Sequence, residues 1–386
     1  MPGKAALQKG LVVLQFVISS LLITSAIVVY YQLDFMKNKK LGFQKENILI
    51  VPLRDQANQH NYEPLKQRWL QNPSIKAVTA TSGVPTREEG LNDFQVKPKQ
   101  SAIDSFNMLT LTVDHDFVKT YGMEIVAGRD FSKEFITDTS SGFLINESAA
   151  KLFGWNDPVN QELTLEYYFN RRINKTGKVV GVVKDFHYHS LRQKMTPLLM
   201  HITPGTYYND FLSVKVSTEN IAPVISFLQK EWQAYNPSRP FEYMFLDEYY
   251  GKLYKSENRF GSVILLFSLL AIGIACVGLF ALVSFVCKQR IKEIGIRKVM
   301  GASVGGITAL LSKDFLKLAL LSAIIASPLA WWAMNKWLQD FAYRIDITWW
   351  MLTIAAIAVV LIALVTVSFQ AIKAALSNPV KALRSE

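Results

Sequence analysis

His187 and His189 stand at i and i+2 in "DFHYHS", on one face of an extended segment, with Asp185 close by. A metal site would need a third or fourth convergent ligand. His60, His115 and His201 are scattered without ligand spacing. The segment is therefore predicted to be a turn whose aromatic and His side chains pack between lobes. There is no Gly-x-Ser-x-Gly elbow and no His-Glu-x-x-His helix, so neither a hydrolase nucleophile nor a zinc protease site is expected. Carboxylates are plentiful, but none forms a local acid/base pair. "GASVGGITALLSK" is glycine-rich yet lacks the Gly-Lys of a phosphate-binding loop, so ATP binding by that route is excluded. The Tyr-rich "EYYF" and "DEYY" read as packing or interface residues. No catalytic, metal-ligating or cofactor-binding residue is predicted.

One charged stretch remains: "KQRIKEIGIRKVMGAS", Lys288 to Ser303. As a helix it puts Arg290, Glu293 and Arg297 on one side, with Glu293 to Arg297 in the favourable i,i+4 order. Ile291, Ile294 and Val299 fall on another side, where Lys298 intrudes. Gly301 stands where a helix C-cap belongs, and Ser303 can cap the next helix. Two readings stay open on residue chemistry: a short helix in the membrane interface, or a solvated loop that only satisfies topology.

The elements that hold this stretch are apolar. Half of the 386 residues are hydrophobic, which suggests membrane spans joined to a large aqueous domain. Uncharged or nearly uncharged runs cover Leu11–Tyr31, Val263–Val286, Leu316–Leu338 and Trp349–Phe369. Each is about 20 residues or more, enough to cross about 30 Å of hydrocarbon as a helix. Lys317 and Lys336 sit near the ends of the third, where they can snorkel. The first run is too long for a signal-peptide core and lacks a small-residue cleavage site.

The net charge of +11 is unevenly placed. Between Asp34 and Asn258 about 27 basic residues meet 26 acidic ones, while the remaining excess flanks the spans. This is membrane-proximal charge, and nucleic acid is excluded as a partner. Lys4, Lys9, the 288–298 basic residues, Lys373, Lys381 and Arg384 predict both termini and the 288–303 segment to be cytoplasmic. Lys37, Lys39 and Lys40 lie on the opposite side, at the start of a long translocated domain that escapes the rule. Cys276 and Cys287 share the second span, about 16 Å apart along the helix, and cannot pair within the chain. The sequons at Asn146 and Asn174 are read as chance occurrences.

From Asp34 to Asn258 short strands alternate with helices, which predicts an α+β domain of two lobes. Ser217 or Thr218 is a candidate cap for the helix that follows "FLSVKV". A last helix from about Asp247 is expected to run on into the second span as a rigid rod.

"RIKEIGIRKVMGAS" and the C-terminal "NPVKALRSE" resemble the signature of the FtsX/MacB family of ABC-transporter permeases. The outer segment is similar to that family's periplasmic domain through "AGRDF", "INESAAKLFGW" and "GVVKDFHYHSL". "LVVLQFVISSLLI" resembles the first span of the second unit in long fused members. The resemblance covers nearly the whole chain. It implies a four-span α-helical bundle plus a large extracytoplasmic α+β domain, in a bacterial inner membrane with that domain periplasmic. It implies a separate ATPase that carries the ATP, so no cofactor is bound by this chain. The 288–303 loop then becomes a coupling helix, with Arg290, Glu293, Ile294, Gly295, Arg297, Lys298, Gly301 and Ser303 as its ATPase-coupling residues. Family members export substrates through a partner, extract lipoproteins or activate cell-wall hydrolases.

The expected divisions are residues 1–33 (first span), 34–258 (outer domain), 259–287 (second span), 288–303 (coupling helix), 304–338 (amphipathic lead and third span), 339–348 (outer loop), 349–369 (fourth span) and 370–386 (tail). Partners are the ATPase, membrane lipid, a second permease unit, either a homodimer mate or the other half of a fused or split permease, and a periplasmic or outer-membrane protein. A membrane receptor with an outer ligand-binding domain is the rival reading. Its output module would have to fit in about 29 residues before two more spans begin.

Overall fold

A computed structural model describes residues 2–55, 59, 61–85, 91–169, 171–203, 209–217 and 220–376. His60, Thr218 and the "NPVKALRSE" motif lie outside the described residues, as do the side chains of Lys292 and Val299. In chain order the elements are α1 (Pro2–Asn38), β1 (Ile48–Pro52), α2 (Glu63–Trp69), β2 (Ile75–Thr81), β3 (Asn92–Pro98), β4 (Phe106–Thr112), α3 (Phe117–Tyr121) and β5 (Ile125–Gly128). They continue as α4 (Ile136–Ser141), β6 (Gly142–Asn146), α5 (Glu147–Phe153), β7 (Glu162–Phe169), β8 (Arg171–Val183), β9 (Leu198–His201), β10 (Phe211–Val216) and α6 (Ala222–Tyr235). The last are β11 (Met244–Phe245), α7 (Leu246–Leu253), α8 (Lys255–Gln289), α9 (Ile291–Val299), α10 (Val304–Leu338) and α11 (Trp349–Leu376). They form two units, residues 39–254 and residues 1–38 with 255–386.

The α/β unit contains two sheets. One has the order β11-β1-β10-β2, antiparallel throughout. Leu49, Val51, Val78, Leu212 and Val214 from its strands pack against Leu65 and Trp69 of α2 and Val224, Leu228 and Trp232 of α6. The i,i+4 spacing of those helical residues gives each helix one apolar stripe against the sheet. The second sheet has the order β5-β8-β6-β9-β4-β3-β7, and the 13-residue β8 pairs with β7 as well. That extra pairing closes β8, β6, β9, β4, β3 and β7 into a ring and leaves β5 outside it, paired to β8. Phe143, Ile145, Leu163, Leu165, Val179 and Leu199 of its strands form one buried cluster with Phe153 and Trp155.

The helical unit is built from α1, α8, α10 and α11, each long and apolar enough to cross a membrane. Buried positions in α11 recur every fourth residue, at Met351, Ala355, Val359, Ala363, Val367 and Ala371. In α10 they include Ile307, Leu311, Phe315, Ala319, Ala323, Ala326 and Ala330. The alanines let the backbones approach closely, which is how helices associate where lipid removes the hydrophobic incentive. At one end Tyr31 meets Trp350, and Phe260 stacks on Trp337. Trp332 and Trp349 are exposed there, forming the aromatic belt of a membrane–water boundary. Gln32 secures the loop at this end, donating to the Tyr343 carbonyl and accepting from the Ile345 N–H.

The helices extend beyond the apolar runs: α1 continues to Asn38, α8 starts at Lys255 and α11 continues to Leu376. Hydropathy marks only the lipid-facing part, whereas backbone hydrogen bonding continues into the polar ends. Two expectations need correction. The rod from Asp247 is broken at Tyr254, whose buried hydroxyl accepts the Leu191 N–H. α6 has Ile221 at its N-cap and a proline in its first turn. Ser217 instead bonds the Ser74 carbonyl beside β2.

Candidate functional site

The three outer motifs turn out to be structural. Asn146 is 1% exposed and caps α5: its carbonyl oxygen accepts the Ala149 and Leu198 N–H groups, and its amide donates to the Thr196 carbonyl. Every polar atom of that amide is engaged, so the sequon has no room for a glycan. The Asp185 carboxylate accepts from the Ser148 N–H and hydroxyl at the same helix start, where the helix dipole favours negative charge. His187 is buried, its backbone N–H donates to the Leu41 carbonyl, and burial aided by Lys39 pushes its ring down to about 4. Phe186 and Tyr188 are buried on either side. In "AGRDF", Arg129 makes a two-pronged bond to Asp138 at 2.6 and 2.8 Å and lies 3.9 Å over the Phe135 ring. Among the described residues no three His, Cys, Asp or Glu side chains gather as a metal-ligating group.

The 288–303 stretch is organised differently. The chain leaves α8 at Gln289, turns at Arg290 and forms α9. Arg290 is the N-cap and is exposed, and its backbone carbonyl accepts the Ile294 N–H at 2.9 Å. Glu293 and Arg297 pair at 2.7 Å, both about half exposed. Ile294 and Gly295 are buried, and Ile294 packs with Cys287, Ile307 and Leu311 at the base of the helical unit. Lys298 is half-buried in the last turn. The helix therefore has an anchored side and a presented side.

Its end is fixed by backbone geometry. Gly301 has φ +91, which β-branched residues cannot adopt cheaply. The Ala302 N–H donates to the Arg297 carbonyl at 2.9 Å and the Gly301 N–H to the Lys298 carbonyl at 3.1 Å. This is the paired pattern of a Schellman motif, which satisfies carbonyls the helix end would leave open. Two residues on, the Ser303 hydroxyl accepts the Gly306 N–H at 3.1 Å and starts α10. The direction of the chain between α9 and α10 is thus set by three residues.

Sequence reasoning missed the apolar side of the presented face. Ile296 is 53% exposed and Met300 is 84% exposed, and their spacing of four puts them on one face. The visible signal was the i,i+4 pair Ile296 and Met300 in "GIRKVM", assigned to neither of the two helix sides named from the sequence. An apolar pair exposed beside a held ion pair is a surface suited to a protein partner, with burial supplying affinity and the charges supplying register.

The MacB-like periplasmic core domain family model matches residues 16–224, more than half of the chain. The FtsX-like permease C-terminal model matches residues 265–379. No curated protein matches the chain by sequence. Similar solved structures include the periplasmic region of MacB from Actinobacillus actinomycetemcomitans, at 15% identity over 57% of this chain and 98% of that one, TM-score 0.39. A domain of a permease protein from Porphyromonas gingivalis is 16% identical over 53% and 92% of the two chains, TM-score 0.34. The extracellular domain of the ABC-type transporter YknZ from Gram-positive bacteria is 11% identical over 51% and 98%, TM-score 0.35. The two family models between them take in most of the α/β unit and, from residue 265 of α8 onward, the helices that carry the capped segment, and the chain belongs to the FtsX/MacB-like family of ABC-transporter permeases.

Proposed function

We propose that this chain is a permease subunit, or one half of a larger permease, that passes ATPase-driven motion across the membrane to its α/β unit. The observation that carries the reading is the α9 segment: a short helix anchored by Ile294, presenting Ile296, Met300 and the Glu293–Arg297 pair, with its exit angle fixed at Gly301 and Ser303. A merely solvated loop has no need of a buried anchor and two consecutive caps. The ATPase is a separate protein that docks on this face. Both termini and α9 are cytoplasmic and the α/β unit is periplasmic, in a bacterial inner membrane. The chain binds no ATP itself. A second permease unit completes the assembly, and α8 suits that contact because a run of large apolar side chains along it, Leu265 to Ile274 among them, is unburied within this chain. The output is export, lipoprotein extraction or hydrolase activation, by way of a periplasmic or outer-membrane partner.

The test is co-purification of the ATPase with full-length variants. Met300→Glu places a charge in the apolar face, and Glu293→Lys reverses one charge and breaks the pair with Arg297. The lost pair alone is worth about 0.2–0.5 kcal/mol, too little to unfold the protein. Both variants should insert, keep a protease-resistant α/β unit and lose the ATPase. Wild-type association in both would return the segment to a topological loop.

A further inference from the structure

A groove of about 830 Å³ runs between α10 and α11, beginning at Val304 and Gly305 beside the α9–α10 turn. Its walls are apolar, with Leu316, Leu320 and Leu364 among them. Its polar edge is cationic: Lys313 and Lys317 both line it and both are exposed, four residues apart on one helix face. Asp314, between them in sequence, does not line it. Ser312 also lines the groove, at 3% exposure, and its hydroxyl has no hydrogen-bond partner among the described residues. Ser322 and Ser327 of α10, like Ser268 and Ser284 of α8, each return their hydroxyl to the carbonyl four residues back. Ser312 makes no such bond among the described residues, which leaves a buried polar group open to a ligand.

We propose that this groove binds one anionic phospholipid, its phosphate held by Lys313 and Lys317, its glycerol-ester region at the Ser312 hydroxyl, and one acyl chain along Leu316, Leu320 and Leu364. At 35 residues α10 is about 52 Å long, well beyond the roughly 30 Å hydrocarbon core. The segment before Leu316 therefore rides at headgroup level while the leucines lie among acyl chains. The positive end of the α10 dipole is at the same side. A soluble anion has no use for the apolar wall, and the choline group of a zwitterionic lipid is repelled by two lysines. The site is independent of the ATPase-docking reading, since it uses none of the presented residues of α9.

The experiment is native mass spectrometry of the full-length chain in mild detergent, with phosphatidylglycerol, phosphatidylcholine or glycerol phosphate added. Phosphatidylglycerol should remain bound as a single copy, preferred over phosphatidylcholine by about 25-fold if each lysine contributes about fivefold. Glycerol phosphate alone should not be retained. Lys313→Gln with Lys317→Gln should bring phosphatidylglycerol down to the phosphatidylcholine level, and Ser312→Ala should weaken it further than its small volume change explains. Lys313→Arg with Lys317→Arg should retain the lipid, which separates lost charge from lost folding. Lys336→Gln, at the other end of α10, should change nothing. Equal retention of the two lipids, retention unaffected by the double Gln variant, or glycerol phosphate held as firmly as the lipid would each overturn the proposal.

Discussion

Lys66 shows how far a single residue can depart from its sequence appearance. In "EPLKQRW" it reads as an ordinary helix lysine, yet its side chain is 1% exposed and lies 2.6 Å from both Asp114 and Asp116. Asp114 also accepts from the Thr79 hydroxyl and the Ala80 N–H. Burial opposes the Lys66 charge, but the two carboxylates outweigh it and hold the ammonium above its ordinary value. Removing one partner leaves buried charge uncompensated, so Lys66→Met should destabilise the protein by about 3–5 kcal/mol, read by denaturant unfolding of the full-length chain. A loss below about 1 kcal/mol, typical of a surface pair, would show that the cluster does not hold α2 to the β4–α3 loop. No sequence window could reveal it, because the carboxylates lie 48 and 50 residues away. His201 carries a second prediction. Burial, reinforced by the Lys175 charge, pushes its ring down to about 3, and His187 is lowered in the same direction. The folded state then binds fewer protons than the unfolded one, so stability present above about pH 6.5 is lost as pH falls toward 3. The melting temperature should fall across that window, and more shallowly in His201→Gln; an unchanged slope would mean that His201 is not the group being charged.

At the element scale, legibility followed locality. The α9 caps were readable because Gly301 and Ser303 act on backbone groups within five residues. The break at Tyr254 was not, because it depends on Leu191, 63 residues away. The ring closure of the second sheet was also hidden, since alternation predicts strands but not that β8 is long enough to pair with β5, β6 and β7. Gly128 stands outside the ring, where β5 pairs with β8. It has φ +71, and a Cβ there would stand 2.3 Å from the Val180 carbonyl oxygen and 2.8 Å from the Gly181 Cα. Both obstacles are backbone and cannot swing away. Gly128→Ala should therefore separate β5 from β8 and expose the α/β unit to protease, whereas Gly154→Ala, equally left-handed but with nothing within 4 Å, should cost only about 1 kcal/mol of backbone strain. Equal protease resistance in the two variants would contradict the steric argument. On the candidate site, the charged pair was legible and the Ile296–Met300 patch was not, because burial of Ile294 rather than its neighbours is decided by the packing of α8, α10 and α11 around it.

For the whole molecule, apolar runs of membrane length made the four spans readable, and alternating strand and helix patterns the intervening α/β unit. Orientation is the next quantity to measure: a cysteine at Ser141 should label from outside intact cells and one at Ser303 only after permeabilisation, and the reverse pattern would invert the topology. The central claim is that ATPase work reaches the α/β unit through α9. It is tested most directly by the full-length chain reconstituted with its ATPase, spin-labelled at Ser141 in the α/β unit, with label-to-label distances across the assembly compared with and without ATP. The wild type should show an ATP-dependent change in that distance. Gly301→Val should abolish it, because a β-branched residue resists the left-handed turn that sets the angle of α9, while the α/β unit stays folded and protease-resistant. An ATP-dependent distance change of wild-type size in Gly301→Val, with the ATPase bound, would contradict the account.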